Sequence, residues 1–102
     1  MNIIYVTQAV TSSAGLKTST TALAANPARI GWNIQNHAAA VLYLKFGAGC
    51  STANYDLILK AGTAPVDGTG GSTSQMEGVI FTGVISVAAA GTPSYTVSEF
   101  NP

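Results

Sequence analysis

The sequence predicts an all-β, single-domain antiparallel β-sandwich or β-barrel of seven to eight short strands. Two observations carry that expectation. Between Arg29 and Lys60 three runs alternate apolar and polar residues with the period of two that marks a strand with one buried face. Turn-forming residues separate these runs and recur along the whole chain, while no stretch sustains a helical period.

Residues 3–10 contain Ile3, Ile4, Tyr5 and Val6 and read as a first strand. A polar stretch from Thr11 to Thr21 follows, then Ala22-Leu23-Ala24-Ala25 and an Asn26-Pro27 turn. Pro27 and the flanking threonines favour an extended or edge segment there over a helical turn. In the next strand Ile30, Trp32 and Ile34 alternate with Arg29, Gly31, Asn33 and Gln35. Then Leu42, Leu44 and Phe46 alternate with Val41, Tyr43 and Lys45, and Tyr55, Leu57 and Leu59 with Asp56, Ile58 and Lys60. Residues 61–74 are the longest loop signal, since glycine and proline there oppose both regular structures. A strand returns over 79–88, a Gly91-Thr92-Pro93 turn follows, and Tyr95, Val97 and Glu99 mark the closing strand. One domain is expected, with residues 1–25 as an N-terminal strand and extended arm and 26–102 as the core.

Charged residues make up 8% of the chain, against roughly a quarter in an average soluble domain. Four basic and four acidic residues cancel to a formal net charge of zero. Such a surface suits a subunit held in a larger assembly, because a free monomer usually keeps a net charge away from zero; composition fits an ordinary β-domain with a neutral polar exterior equally well. Scattered cations cannot track phosphates, so nucleic acid is not an expected partner. No apolar run reaches the ~20 residues that span a bilayer, and the first residues lack a signal-peptide pattern. Cys50 is the only cysteine, which excludes an intrachain disulfide and fits a reducing cytoplasm.

No catalytic, cofactor or metal site is expected. His37 is the only histidine, and no nucleophile motif accompanies it, so it reads as a surface turn residue. Asp67-Gly68-Thr69-Gly70-Gly71 lacks the lysine and helix of a phosphate loop and the extra carboxylates of a calcium loop; it reads as the tip of a hairpin or crossover. Cys50 lies in a Gly-rich turn and is expected to be partly exposed and functionally silent. Trp32, between Ile30 and Ile34, is expected to anchor the core rather than serve as a sugar platform. Val41, Tyr43 and Ile58 fall on the second face of their strands, which must then be covered by another sheet or by a neighbouring subunit. With Ile3 and Tyr5 of the first strand, they are the candidate interface residues.

The order Arg29-Ile-Gly-Trp-Asn-Ile-Gln-Asn36, Leu42-Tyr-Leu-Lys-Phe-Gly47, Leu57-Ile-Leu-Lys-Ala-Gly62 and Tyr95-Thr-Val-Ser-Glu99 resembles small tailed-bacteriophage virion proteins of the capsid decoration (cement) or head-fibre type. The resemblance covers about residues 28–100. It implies a non-enzymatic, all-β structural protein of the virion, often trimeric, assembled in the host cytoplasm onto the major capsid protein or other virion subunits. The 61–74 loop has no counterpart with a named role. A carbohydrate- or host-receptor-binding module of a tail or head fibre is the alternative, with Tyr43 or Tyr95 as its working surface.

Overall fold

The computed structural model describes residues 4–10, 20–63, 68–89, 91 and 94–101, with 4–10 described as backbone. They form eight strands: β1 (Ile4–Val10), β2 (Thr20–Leu23), β3 (Gly31–Asn36), β4 (Leu42–Phe46), β5 (Leu57–Leu59), β6 (Ser72–Gln75), β7 (Ile85–Ala89) and β8 (Tyr95–Asn101). Two four-stranded sheets result, ordered β1-β8-β3-β6 and β2-β7-β4-β5, with every strand pair antiparallel. The protein is therefore an all-β sandwich. The chain changes sheet at every connection except β4–β5, and the two strand orders are those of an eight-stranded jelly roll.

One core lies between the sheets. Trp32, Ile34, Tyr95 and Val97 enter it from the first sheet; Ala22, Leu42, Leu44, Leu59, Ile85, Val87 and Ala89 enter from the second. Each large member contributes about 1.5–3 kcal/mol by leaving water. Trp32 is fully buried, and its ring meets Phe46 edge-on at 5.8 Å. The indole N–H donates to Gln75 Oε1 at 2.8 Å, which also accepts the Phe81 N–H at 2.9 Å. A buried tryptophan is thereby left with no unsatisfied donor.

The expected first strand is present: β1 lies along β8 through seven register pairs. Of the expected extended segment, residues 11–19 lie outside the described residues, while β2 lies along β7 and Ala22 is in the core. Three elements differ from the sequence expectation. β6 occupies the end of the expected 61–74 loop. Ser-Thr-Ser-Gln has no apolar alternation, and β6 owes its extended form to pairing with β3. The 79–88 strand is cut to Ile85–Ala89 because the preceding carbonyls bond elsewhere. Those of Phe81 and Gly83 accept from Arg29, that of Thr82 from the Asn26 N–H, and that of Val84 from the Gly47 N–H. Finally, β5 begins only at Leu57, since the Asp56 carboxylate turns back to accept the Phe46 N–H at 2.9 Å.

Two polar clamps close the ends of β3. Before the strand, the side chain of Arg29 has no exposed surface and spends its donors on four acceptors. Its Nε meets Glu99 Oε2 at 2.8 Å, Nη1 meets the carbonyls of Phe81 (2.9 Å) and Gly83 (3.0 Å), and Nη2 that of Ala24 (2.6 Å). Asn26 extends the cluster by donating to Glu99 Oε1 and Asn101 Oδ1. Burial alone pushes the Glu99 carboxyl up, but hydrogen bonds from Arg29, Asn26 and Asn101, with the guanidinium charge, hold it below its ordinary range. At the far end Asn36, also fully buried, donates to the carbonyls of Ala40, Lys60 and, at 3.4 Å, Leu59, and accepts from the Ala38 N–H. Gly70 and Gly71 pass directly against this clamp. A Cβ on Gly70 would collide with the Asn36 carbonyl, and one on Gly71 would lie 2.7 Å from the Lys60 nitrogen.

Candidate interaction surface

All five residues of β7 are buried. Ile85, Val87 and Ala89 face the core, so Ser86 and Ala88 lie on the outer face of the β2-β7-β4-β5 sheet and are nonetheless closed to solvent. The chain covers part of this face itself, through the link between β4 and β5. Gly47 and Gly49, at φ of 128° and 87°, turn the backbone in a way that favours glycine. Ser86 then holds the link: its hydroxyl donates to the Gly47 carbonyl at 2.6 Å and accepts the Cys50 N–H at 3.1 Å. Ser51 and Asn54 close a tight turn through two mutual backbone bonds.

Cys50 is consequently buried, 1% exposed, and not the partly exposed turn residue its glycine-rich surroundings suggest. Burial pushes its thiol pKa up; the charge of Lys45 opposes this and that of Asp56 adds to it. A thiolate is therefore disfavoured.

Past the turn, Tyr55 packs against Tyr43 with ring centroids 4.8 Å apart and the ring planes tilted by 53°. The sequence alternation places Tyr55 on the same face as Leu57 and Leu59; the late start of β5 instead leaves it 40% exposed. Ile58, the register partner of Tyr43, is 51% exposed. Tyr43, Tyr55 and Ile58 thus make one apolar patch beside the covered part of the sheet. Val41 is half-buried just before β4. Tyr5 lies in the other sheet, in register with Phe100 on β8, and Ile3 falls outside the described residues. The structure brings Tyr43 and Ile58 together and leaves Tyr5 apart from them.

The link between β6 and β7 exposes two further apolar residues, Met76 (55%) and Val79 (94%). Alternation assigns Val79 to a strand and so conceals this tip; its one sequence signal is Gly78, which turns at φ of 79°.

Polar groups elsewhere are largely engaged in the fold. His37 Nε2 lies 3.0 Å from Thr96 Oγ1, while Nδ1 is buried without a partner, as is the Tyr95 hydroxyl, whose pKa burial raises. Among the described residues no group of three or more His, Cys, Asp or Glu could hold a metal ion, and no helix is long and apolar enough to cross a membrane. Asp67 lies outside the described residues; Gly70 and Gly71 after it serve close packing against Asn36 and Lys60. A cavity of about 350 Å³ beside β2 and β8 is bounded by Ala22, Leu23, Val97 and Glu99, and that carboxylate is already bonded to Arg29 and Asn26.

Comparison with protein-family models, with curated proteins and with solved structures yields no significant match.

Proposed function

We propose that this chain is a non-enzymatic structural subunit of a bacteriophage virion. It decorates the capsid and cements it by binding between major capsid proteins. The observation that carries the reading is the Tyr43–Tyr55–Ile58 patch, in which exposed Tyr55 and Ile58 flank half-buried Tyr43 on a chain with very few charges. Buried aromatic anchors are the residues that supply most of the binding energy at protein interfaces. Binding free energy of this kind exists only in the assembled state and so stabilises the shell rather than the free subunit. Jelly rolls recur in viral capsid and lectin domains, a likeness of fold that lends support without assigning a role.

The test uses particles lacking the protein, to which wild-type and Ile58→Asp chains are added. A carboxylate placed in the patch is expected to lower occupancy at least tenfold, about 1.4 kcal/mol, with the circular dichroism spectrum unchanged. Equal occupancy by a folded variant rejects the patch as the shell contact.

The Tyr43–Tyr55 ring pair also favours a second reading, a carbohydrate- or receptor-binding module of a fibre. Oligosaccharide titration that shifts the ring resonances of these two tyrosines, without particle binding, selects that reading.

A further inference from the structure

The sandwich presents four outer strands, β1 and β6 in one sheet and β2 and β5 in the other. An open edge offers unpaired N–H and C=O groups to any passing strand, and proteins blunt it with shortness, charge, proline or a bulge. Three of the four carry such a device. β2 has four residues, and its register with β7 shifts between Thr21 and Leu23. β5 has three residues and is flanked by Asp56 and Lys60. β6 has four residues, all polar. β1 has none of these. It runs for seven residues, Ile-Tyr-Val-Thr-Gln-Ala-Val, without charge or proline, in unbroken register with β8. Its other side has no partner strand among the described residues.

We propose that this edge pairs with β1 of a second copy of the chain, antiparallel, about a two-fold axis at Thr7. Two features favour a second copy over a foreign strand. An uncharged strand meets its own image without setting like charges opposite one another, and a chain of zero net charge approaches a copy without net repulsion. The match uses all seven positions: Ile4 opposite Val10, Tyr5 opposite Ala9, Val6 opposite Gln8, and Thr7 opposite Thr7. The contact is isologous and joins two four-stranded sheets into one of eight strands. It is independent of the virion reading and distinct from any three-fold grouping.

The experiment uses the full chain with Cys50 replaced by alanine. Across the axis the two Thr7 Cα atoms stand about 4.5–5.5 Å apart, within the ~4.4–6.8 Å that a disulfide spans. Thr7→Cys is therefore expected to give a covalent dimer on mild oxidation. Ala9→Cys should not, because its copies are offset by about 13 Å along the strands. Thr7→Lys sets two ammonium groups opposite each other. It should halve the mass seen by analytical ultracentrifugation, from dimer to monomer, or from hexamer to trimer where a three-fold contact also operates. A monomeric parent chain overturns the proposal. So does cross-linking at residue 9 instead of 7, or a folded Thr7→Lys variant of undiminished mass. Should Thr7→Lys fail to fold, the two cysteine variants decide alone.

Discussion

The two ends of β3 are closed by different chemistry. Before the strand a guanidinium gathers the carbonyls of Ala24, Phe81 and Gly83 and the carboxylate of Glu99. After it a neutral amide gathers the carbonyls of Ala40, Leu59 and Lys60, and the glycines at 70 and 71 let the crossing chain close in. Both clamps fasten the links of a sandwich whose chain keeps changing sheet, where backbone groups leave the ladders and need partners. Acceptors from three separate segments suit a planar fork of five donors fixed by one charge. The second clamp draws its acceptors from segments that glycine has already brought close, and a small amide suffices.

Removing the charged clamp should have the larger effect. Arg29→Ala strands three carbonyls and leaves the Glu99 carboxylate without its cation, held only by Asn26 and Asn101, and breaking such a buried pair costs about 3–5 kcal/mol. Urea unfolding measures it, and a loss below 1 kcal/mol would show that water replaces the guanidinium. Asn36→Ala should cost less, about 1–3 kcal/mol. The Lys60 carbonyl retains the Gly71 N–H at 2.9 Å, so the main losses fall on the Ala40 carbonyl and the Ala38 N–H. Equal losses for the two variants would erase the distinction between the ends.

The smallest effect separates them by pH. The folded Glu99 carboxyl titrates below its ordinary value of 4.5, so its stabilising contribution is complete above that value. It is lost as the pH falls through the lower, folded value. The Asn36 clamp has no ionisable member. Wild type should therefore lose stability relative to Glu99→Gln as the pH is taken down from 7 to 3. Parallel stability curves would mean that the carboxylate contributes nothing as an anion.

Neither clamp is legible in the sequence. Arg29 falls in the phase that alternation assigns to the polar face, and it is buried because it precedes β3 and follows a turn. Asn36 looks like any polar residue ending a strand. Alternation does locate β3, β4 and β8, since Trp32, Ile34, Leu42, Leu44, Tyr95 and Val97 all enter the core. It fails for β6, whose extended form comes from its neighbour, and for residues 79–84, whose carbonyls are claimed by other segments. In the apolar patch, Tyr43 and Ile58 are readable from their strands. Tyr55 and Cys50 are not, since the fold of the β4–β5 link decides which is exposed.

The pairing of β1 with β8 also bears on how the chain is made. Of the described strands, the earliest to be translated is matched to the latest, Ile4 to Asn101. At about 5–20 residues per second, β1 waits on the order of 5–20 s for its partner. Throughout that time an uncharged seven-residue strand is accessible on both sides. Neighbouring nascent chains on one message hold identical strands in the same condition. The rate of translation from β1 to β8 thus sets how long a neighbour's strand competes for the place of β8.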